Sequence, residues 1–192
     1  MKKLAAKRLN NDFYALPATE VATLLLGKLL CVSCDSGVSR YAITETECYY
    51  GFSDTASHAC RHKTTRNAVM FSEGGHLYVY LCYGVYDMLN VVTGPSEHPE
   101  AVLIRGGLFL GDSEQILLDG PGKLTRHGEI TRQDGGLDCR ISDRIWFEDA
   151  GLEPEYEALP RIGIGYASKA DKKRLWRFRV KNTKDVALDL TV

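Results

Sequence analysis

The sequence predicts an α+β fold: a single domain with a largely antiparallel, curved β-sheet, forming a roll or an open barrel, and a few short helices. Many short apolar stretches have the period of a strand, whereas few have the period of a helix and none of these is long. The connections between them are short and rich in turn residues, which favours antiparallel neighbours. The 192 residues, 44% hydrophobic and 26% charged, suit one globular domain, and no repeat or linker divides them.

The individual elements are predicted in chain order from periodicity and turn residues. A short helix is expected over residues 18–26, because apolar residues at helical spacing follow Pro17 and stop at Gly27. A polar loop is expected over residues 51–67, and the glycine-rich corner at 120–122 opens a short helix from Lys123. Strands are expected at residues 28–34, 38–48, 76–83, 86–92, 101–106, 144–147 and 175–181.

The charge is distributed unevenly along the chain. The net charge of −1 and the isoelectric point near 6.5 argue against binding of nucleic acid through bulk charge. Residues 161–184, however, contain nine basic residues and one acid, a net charge of +8, whereas residues 67–160 have a net charge of −10. A positive segment with interleaved aromatic residues is typical of phosphate-binding surfaces, although a solvated basic face without a partner fits the charge equally well.

The six cysteines are expected to be reduced thiols, since no secretory signal is recognisable. Cys31 and Cys34 have half of a zinc-ribbon spacing, and His58, Cys60 and His62 would have to supply the other ligands. Buried cysteines on strands are the favoured interpretation, and neither a metal nor a cofactor is expected.

The N-terminal segment, residues 1–10, is basic and is expected to be flexible. No apolar run approaches the roughly 20 residues that a membrane span requires. The protein is therefore expected to be a soluble monomer of the cytoplasm, or of the nucleus if the source is eukaryotic.

Strand alternation places several chemically suggestive side chains on common faces. The three sets that share a face are Glu45, Glu47 and Tyr49; Tyr78 and Tyr80; and Ala101, Leu103 and Arg105. If these faces converge, they form a pocket that stacks a flat heterocycle and aligns a water molecule between a carboxylate and a guanidinium. The alternative is that the same faces are simply packed core.

A series of short blocks then shows a resemblance to a known family. The blocks are Glu45-Thr-Glu47-Cys-Tyr49, Ala56-Ser-His58, Thr65-Arg66-Asn67-Ala-Val-Met70-Phe71, Gly75-His-Leu-Tyr78-Val-Tyr80-Leu-Cys-Tyr83-Gly84, Leu89-Asn90-Val91-Val92, Val102-Leu103-Ile104-Arg105, Gly120-Pro-Gly-Lys123-Leu124 and Arg161-Ile162-Gly163-Ile164. In this order and spacing, from about residue 27 to residue 180, they resemble the alkyladenine (3-methyladenine) DNA glycosylase family.

The resemblance implies a monofunctional DNA glycosylase of base excision repair. Such an enzyme flips alkylated or deaminated purines out of double-stranded DNA and cuts them from the sugar with water. Glu47 matches the glutamate that takes a proton from this water. Arg105 and the backbone carbonyl of Ile162 match the groups that hold the water beside it. No lysine matches a catalytic position, so a Schiff-base lyase reaction is not expected.

The same resemblance assigns the residues around the damaged base and the DNA. Tyr49, His58 and Tyr80 match residues that enclose the base, and Leu103 matches an apolar wall. Asn90 matches a residue that crowds the exocyclic amino group of guanine. Tyr83 matches the tyrosine that enters the minor groove and fills the vacated space. Contacts with the DNA backbone are expected from Arg66, Lys123, Lys172, Lys173 and Arg174.

The sequence also departs from the family pattern. Thr65 stands where a proline is usual, Gly106 and Gly107 replace bulkier residues, and the segment between Arg105 and Gly120 is short. These changes are expected to affect DNA affinity, loop rigidity and the range of damaged bases that the protein accepts.

Two other functions stay open: a non-catalytic nucleic-acid-binding module, and a hydrolase of free nucleosides. Glu47 together with Arg105 argues against the module, because burying unsatisfied charges for packing alone is costly. The tyrosine at position 83 has no use on free nucleosides.

Overall fold

The computed structural model describes residues 6–35, 37–111 and 113–187. In this part of the chain, ten strands form one sheet in which all hydrogen-bonded neighbours are antiparallel. The strands are β1 (Lys7–Arg8), β2 (Leu29–Cys34), β3 (Gly37–Tyr50), β4 (Leu77–Cys82), β5 (Tyr86–Thr93), β6 (Glu100–Leu110), β7 (Gln115–Asp119), β8 (Ile145–Asp149), β9 (Tyr156–Leu159) and β10 (Arg177–Val180). The α-helices are α1 (Asn11–Tyr14), α2 (Ala18–Leu24), α3 (Pro121–His127) and α4 (Lys169–Lys173).

The main path of the sheet runs β1-β8-β2-β3-β6-β5-β4. Strand β7 pairs with β6, and β10 pairs with both β3 and β9. The predicted α+β class, with a curved antiparallel sheet and few short helices, is confirmed.

The pairing of the two longest strands, β3 and β6, is locally irregular, and the other neighbour of β3 changes near the same place. The register between β3 and β6 shifts on both sides of Glu45, which pairs with Gly106 instead of Arg105. Strand β3 pairs with β2 over residues 37–42 and with β10 over residues 45–47. Irregularities of this kind bend strands and redirect side chains. A Cβ atom on Gly106 would lie 3.0 Å from Thr44 Oγ1 and 3.4 Å from Glu45 Cβ, so glycine here permits the close approach of the two strands.

The core lies between the sheet and α2. This helix begins after Pro17, and Val21 and Ala22 on its buried face pack in the main apolar cluster. The hydroxyl of Thr46, itself fully buried in β3, donates to the carbonyl of Ala22 at 2.6 Å and ties helix to sheet. Large fully buried side chains of this core are Leu25, Leu29, Leu30, Ile43, Leu77, Leu89, Ile104 and Phe147.

Residues 7–9 of the N-terminal segment, for which flexibility was expected over residues 1–10, are held against the sheet. Lys7 and Arg8 pair with β8, and the N–H of buried Leu9 donates to the carbonyl of Phe147 at 2.9 Å. The physical reason is the burial of the Leu9 side chain, because it anchors the neighbouring backbone against β8. Residues 1–5 lie outside the described residues.

The segment after Arg105 forms an extended hairpin. Strand β6 continues to Leu110 and pairs with β7, a strand that the sequence analysis did not predict. Strands β1 and β9 and the short helices α1 and α4 were likewise not predicted. These elements are short, and their pattern alone carries little signal.

No helix within the described ranges is long and apolar enough to cross a membrane.

Candidate active site

A solvent-open cleft of about 540 Å³ lies beside the irregularity of β3 and β6. Its walls include Tyr49, Tyr80, Leu103, Arg105 and Ile162. A smaller chamber of about 20 Å³ adjoins it, lined among others by Met70, Tyr78, Asn90 and Ala101. Tyr49, His58, Tyr80 and Tyr166 line both spaces. The three faces predicted from strand alternation therefore converge on one cavity.

Glu47 is fully buried, and three groups contact its carboxylate. The backbone N–H of Ile162 donates to Oε1 at 2.8 Å, and the hydroxyl of Tyr49 donates to Oε2 at 2.8 Å. Arg105 Nη1 lies 3.4 Å from Oε1. The predicted water-holding role of Ile162 concerned its carbonyl; the observed contact with Glu47 is made by its N–H. The carbonyl role stays a prediction.

The surroundings of Glu47 act on its basicity in both directions. Burial raises the pKa of Glu47 above its ordinary value, while Arg105, the N–H of Ile162, the Tyr49 hydroxyl and Arg161 each lower it. Burial also raises the pKa of Tyr49 well above its usual range, so this phenol remains a proton donor to the carboxylate. A carboxylate with raised pKa that still keeps cationic neighbours is suited to accept a proton near neutral pH.

The aromatic part of the site is a packed cluster of three rings. Tyr78 and Tyr80 stack with centroids 5.3 Å apart, and the His58 ring meets Tyr80 edge-on at 4.6 Å. His58 Nδ1 lies 3.0 Å from the Tyr78 hydroxyl. Partial burial against these rings lowers the pKa of His58, and the positive charge of Arg66 lowers it further. The imidazole is therefore neutral at physiological pH.

Asn90 and Leu103 lie opposite one another on β5 and β6, and both are buried. The amide nitrogen of Asn90 donates to the carbonyls of Tyr78 at 3.0 Å and Met88 at 3.2 Å, which fixes the side chain at the chamber wall. Leu103 contributes apolar surface to the outer cleft. Asn90 lines the chamber and Leu103 the cleft, and the roles expected of them toward a base stay predictions.

Tyr166 is a lining residue that the sequence analysis did not assign to the pocket. Its hydroxyl donates to the carbonyl of Ala56 at 2.8 Å and so bridges the loop after β3 to the segment before α4. An aromatic residue four positions after Ile162 was visible in the sequence, but its partner is 110 residues away and nothing local indicates it.

A buried ion pair lies directly behind the site. The side chains of Arg161 and Asp54 have no exposed surface, and two hydrogen bonds of 2.6 and 2.8 Å join them. Arg161 also donates to the carbonyl of Cys48 at 2.8 Å and lies over the ring of Tyr49 at 4.9 Å. This arginine, counted with the basic stretch in the sequence, supports the pocket from inside and is not available to phosphates.

Tyr83 projects from the turn between β4 and β5. It is 90% exposed and has a φ of 50°, followed by Gly84 with a φ of 72°. Helix α3 supports this turn: Arg126 lies over the ring of Tyr86 at 5.3 Å, and the Thr125 hydroxyl donates to the carbonyl of Asp87 at 2.8 Å. The predicted wedge residue thus stands at the mouth of the cleft on a supported turn.

The residues expected to contact phosphates are in different situations. Arg66 lines the cleft and lies over the Tyr80 ring at 5.5 Å. Lys123 is exposed and paired with Asp119. Arg174 is paired with Asp171 at 3.1 Å and packs on Trp176. The remaining two, on α4, are exposed: Lys172 and Lys173.

Cys31 is buried on β2 and Cys34 is half-buried at its end, and both are free thiols. Within the described ranges, no group of three or more histidine, cysteine, aspartate or glutamate side chains could hold a metal ion.

Comparison with known proteins connects this geometry to a family. The sequence model of the methylpurine-DNA glycosylase family (MPG) matches residues 12–184. A protein of Methanocella arvoryzae, named provisionally as a 3-methyladenine DNA glycosylase, is 42% identical over 91% of this chain and 93% of its own. Proteins with the same provisional name from Clostridium novyi and Wolbachia pipientis wMel are 39% and 43% identical, over 94% and 89% of this chain and 98% and 90% of their own.

Fold, site and matches together define the class of protein: a DNA glycosylase, a hydrolase that acts on N-glycosyl bonds and has DNA as its substrate. The chain belongs to the methylpurine-DNA glycosylase family. The resemblance identified from the sequence blocks is confirmed.

Proposed function

We propose that the protein is a monofunctional glycosylase of base excision repair that acts as a monomer on double-stranded DNA containing damaged purines. Its substrates are alkylated or deaminated bases of the 3-methyladenine, 7-methylguanine, hypoxanthine and ethenoadenine class, and the attacking water is activated by Glu47. The observation that carries the proposal is a fully buried carboxylate 3.4 Å from Arg105, an arginine that lines an aromatic cleft.

The cleft requires that the target nucleotide leave the helix, because a stacked base cannot reach Glu47. Extrusion costs a few kcal/mol of stacking and pairing. Tyr83, exposed on the turn at the cleft mouth, offsets part of this cost by stacking between the bases that remain.

The extruded base enters the cleft that Tyr49, His58 and Tyr80 line. Alkylation at a ring nitrogen makes a purine cationic, so it stacks well against electron-rich tyrosine rings and leaves the sugar readily. Neutral His58 adds hydrogen-bonding capacity without repelling a cationic base. Asn90, held by two backbone carbonyls, crowds the exocyclic amino group of a guanine and disfavours it.

Hydrolysis proceeds through a sugar with oxocarbenium character. Water held beside Arg105 and Glu47 attacks the anomeric carbon as the bond to the base breaks, and its proton passes to the carboxylate. The bonding pair goes to the base: it neutralises an alkylated purine, whereas a neutral lesion takes up a proton as it leaves. The same carboxylate stabilises positive charge that develops on the sugar. The Ile162 carbonyl is proposed as a further acceptor for this water. No lysine lies among the described residues that line the cleft.

Base release from defined duplexes tests the proposal. Duplexes with one lesion of each class are incubated with the protein, and free base and abasic sites are measured. The wild-type protein is expected to release at least one lesion. Glu47→Gln keeps the shape but removes the proton acceptor, and should lower the single-turnover rate at least about 100-fold while lesion binding persists.

Glu157→Gln is the matched control, because this glutamate pairs with Arg179 on an exposed part of the sheet. It should retain the wild-type rate. Unchanged turnover in Glu47→Gln would remove Glu47 from the reaction. Binding that ignores damage, without base release by the wild-type protein, would favour the non-catalytic binding module, and release from nucleosides but not duplexes would favour nucleoside hydrolysis.

A further inference from the structure

Four charged side chains form an alternating row that ends at Glu47. Arg177 Nη1 donates to Glu45 Oε1 at 2.8 Å, Arg105 Nε lies 3.5 Å from the same oxygen, and Arg105 Nη1 lies 3.4 Å from Glu47 Oε1. Glu45, Arg105 and Arg177 expose only 13 to 14% of their side chains. The row is thus largely desolvated, and each charge acts strongly on the next.

Arg105 stands between two carboxylates without closing on either. Charge-assisted hydrogen bonds between arginine and carboxylate are typically ~2.7–2.9 Å long, shorter than both of its distances. Within the described residues its Nε has no hydrogen-bond partner. Attraction by Glu45 opposes attraction by Glu47, and Glu45 is itself held by Arg177 on β10.

We propose that Glu45 is a positioning residue that holds Arg105 away from Glu47, so that a water molecule, and not the guanidinium, occupies the remaining acceptor capacity of the Glu47 carboxylate. The inference rests on the proposed function of Glu47 as the base. Arg177 supports the same arrangement from the other side, because its Nε donates to the carbonyl of Pro160 at 2.8 Å, two residues before Ile162.

The charges around Glu47 predict opposite effects for the two ends of the row. Without Glu45, the pKa of Glu47 should fall for two reasons. Arg105 is free to pair directly with Glu47, and a negative charge near Glu47 is lost. Without Arg177, the pKa of Glu47 should rise for two reasons. Glu45 draws Arg105 further from Glu47, and a positive charge near Glu47 is lost. The other charged or titratable groups near Glu47 stay in place: Tyr49, Tyr80 and Arg161.

The experiment measures single-turnover base release against pH for the wild-type protein, Glu45→Gln, Glu45→Asp and Arg177→Gln. One lesion in one duplex is used throughout, so that titration of the lesion is common to all profiles. Glu45→Gln should lower the plateau rate about tenfold, which is a part of what general base catalysis contributes. It should also move the acidic limb of the profile, where the rate falls as Glu47 is protonated, to lower pH. Glu45→Asp keeps the charge and should restore the position of the limb. Arg177→Gln should move the limb to higher pH.

Glu155→Gln, which breaks the exposed pair with Lys181, should leave the profile unchanged. A merely structural role for Glu45 would lower thermal stability or rate without moving the limb, and that result overturns the proposal. If Glu45→Gln does not fold, Arg177→Gln decides: an upward shift supports the proposal and an unmoved limb overturns it. A wild-type protein that releases no base overturns the proposed function itself, which separates the two failures.

Discussion

At the scale of single residues, Tyr83 shows how a strained conformation presents a side chain. A left-handed backbone costs a non-glycine residue ~1–2 kcal/mol, yet Tyr83 adopts it with its ring in solvent. Such strain persists only where the surrounding structure enforces it, and here α3 and the pairing of β4 with β5 do so. The sequence indicated a tyrosine at a strand end; the positive φ that aims it outward appears only in the structure.

Replacement of the ring tests its use on DNA. Tyr83→Ser should lower affinity for a lesion-containing duplex at least about fivefold, because stacking of one base on an aromatic ring contributes ~1–3 kcal/mol. Fluorescence anisotropy with labelled duplexes measures this effect. Tyr156→Ser removes a half-exposed tyrosine from β9, outside the cleft, and should bind like the wild-type protein. Equal affinities for all three proteins would exclude Tyr83 as the wedge.

At the scale of elements, the site depends on segments that are distant in sequence and joined by buried charges. The loop after β3 carries Asp54 and His58, and the segment before α4 carries Arg161 and Ile162. Arg161 links the two through Asp54 and the carbonyl of Cys48. A second link is Asp171 of α4, which accepts hydrogen bonds from Thr55 and Ser168; these bonds lower its pKa to about 2.

Loss of one partner from the buried Arg161–Asp54 pair should lower the free energy of unfolding far more than loss of one partner from an exposed pair. Arg161→Met leaves the Asp54 carboxylate buried and unpaired, and should lower the free energy of unfolding by about 3–5 kcal/mol. Arg179→Met breaks the exposed pair with Glu157 and should cost about 0–1 kcal/mol. Urea denaturation of both variants measures the difference. Similar costs would show that the buried pair contributes little beyond a surface pair.

At the scale of the whole molecule, the basic C-terminal stretch is much less available to DNA than its sequence indicates. Five of its nine cationic side chains have carboxylate partners: Arg161, Arg174, Arg177, Arg179 and Lys181. The exposed α4 lysines and Arg66 at the cleft are better placed to contact phosphates. The net charge of +8 therefore overstates the number of phosphates that this stretch can neutralise.

The salt dependence of binding tests this count. With about four phosphates neutralised, the logarithm of the binding constant should fall with the logarithm of salt concentration with a slope of about −4, not about −8. Replacement of both Lys172 and Lys173 by alanine should make the slope shallower by about 2. Lys181→Ala, which removes a lysine already paired with Glu155, should leave it unchanged. A wild-type slope near −8 would show that the paired cations exchange their partners for DNA.

Much of the fold and of the site was predictable because it depends on local pattern. Alternation along strands placed Glu47 with Tyr49 and Tyr78 with Tyr80, and the ordered blocks identified the family. The boundaries of β6, the pairing of β7 and the position of Leu9 were not predictable, because short segments acquire their structure from partners far along the chain.

What the sequence by itself determined, then, is the antiparallel α+β architecture, the co-facial residue sets and membership of the glycosylase family, since side-chain period and block order are properties of neighbouring positions. Only the tertiary structure decided that the N–H of Ile162 contacts Glu47, that Arg161 is buried against Asp54, that Tyr166 completes the pocket, and that Arg105 is shared between two glutamates. Each of these depends on strand register and on desolvation. Both are set by contacts between residues far apart in the chain.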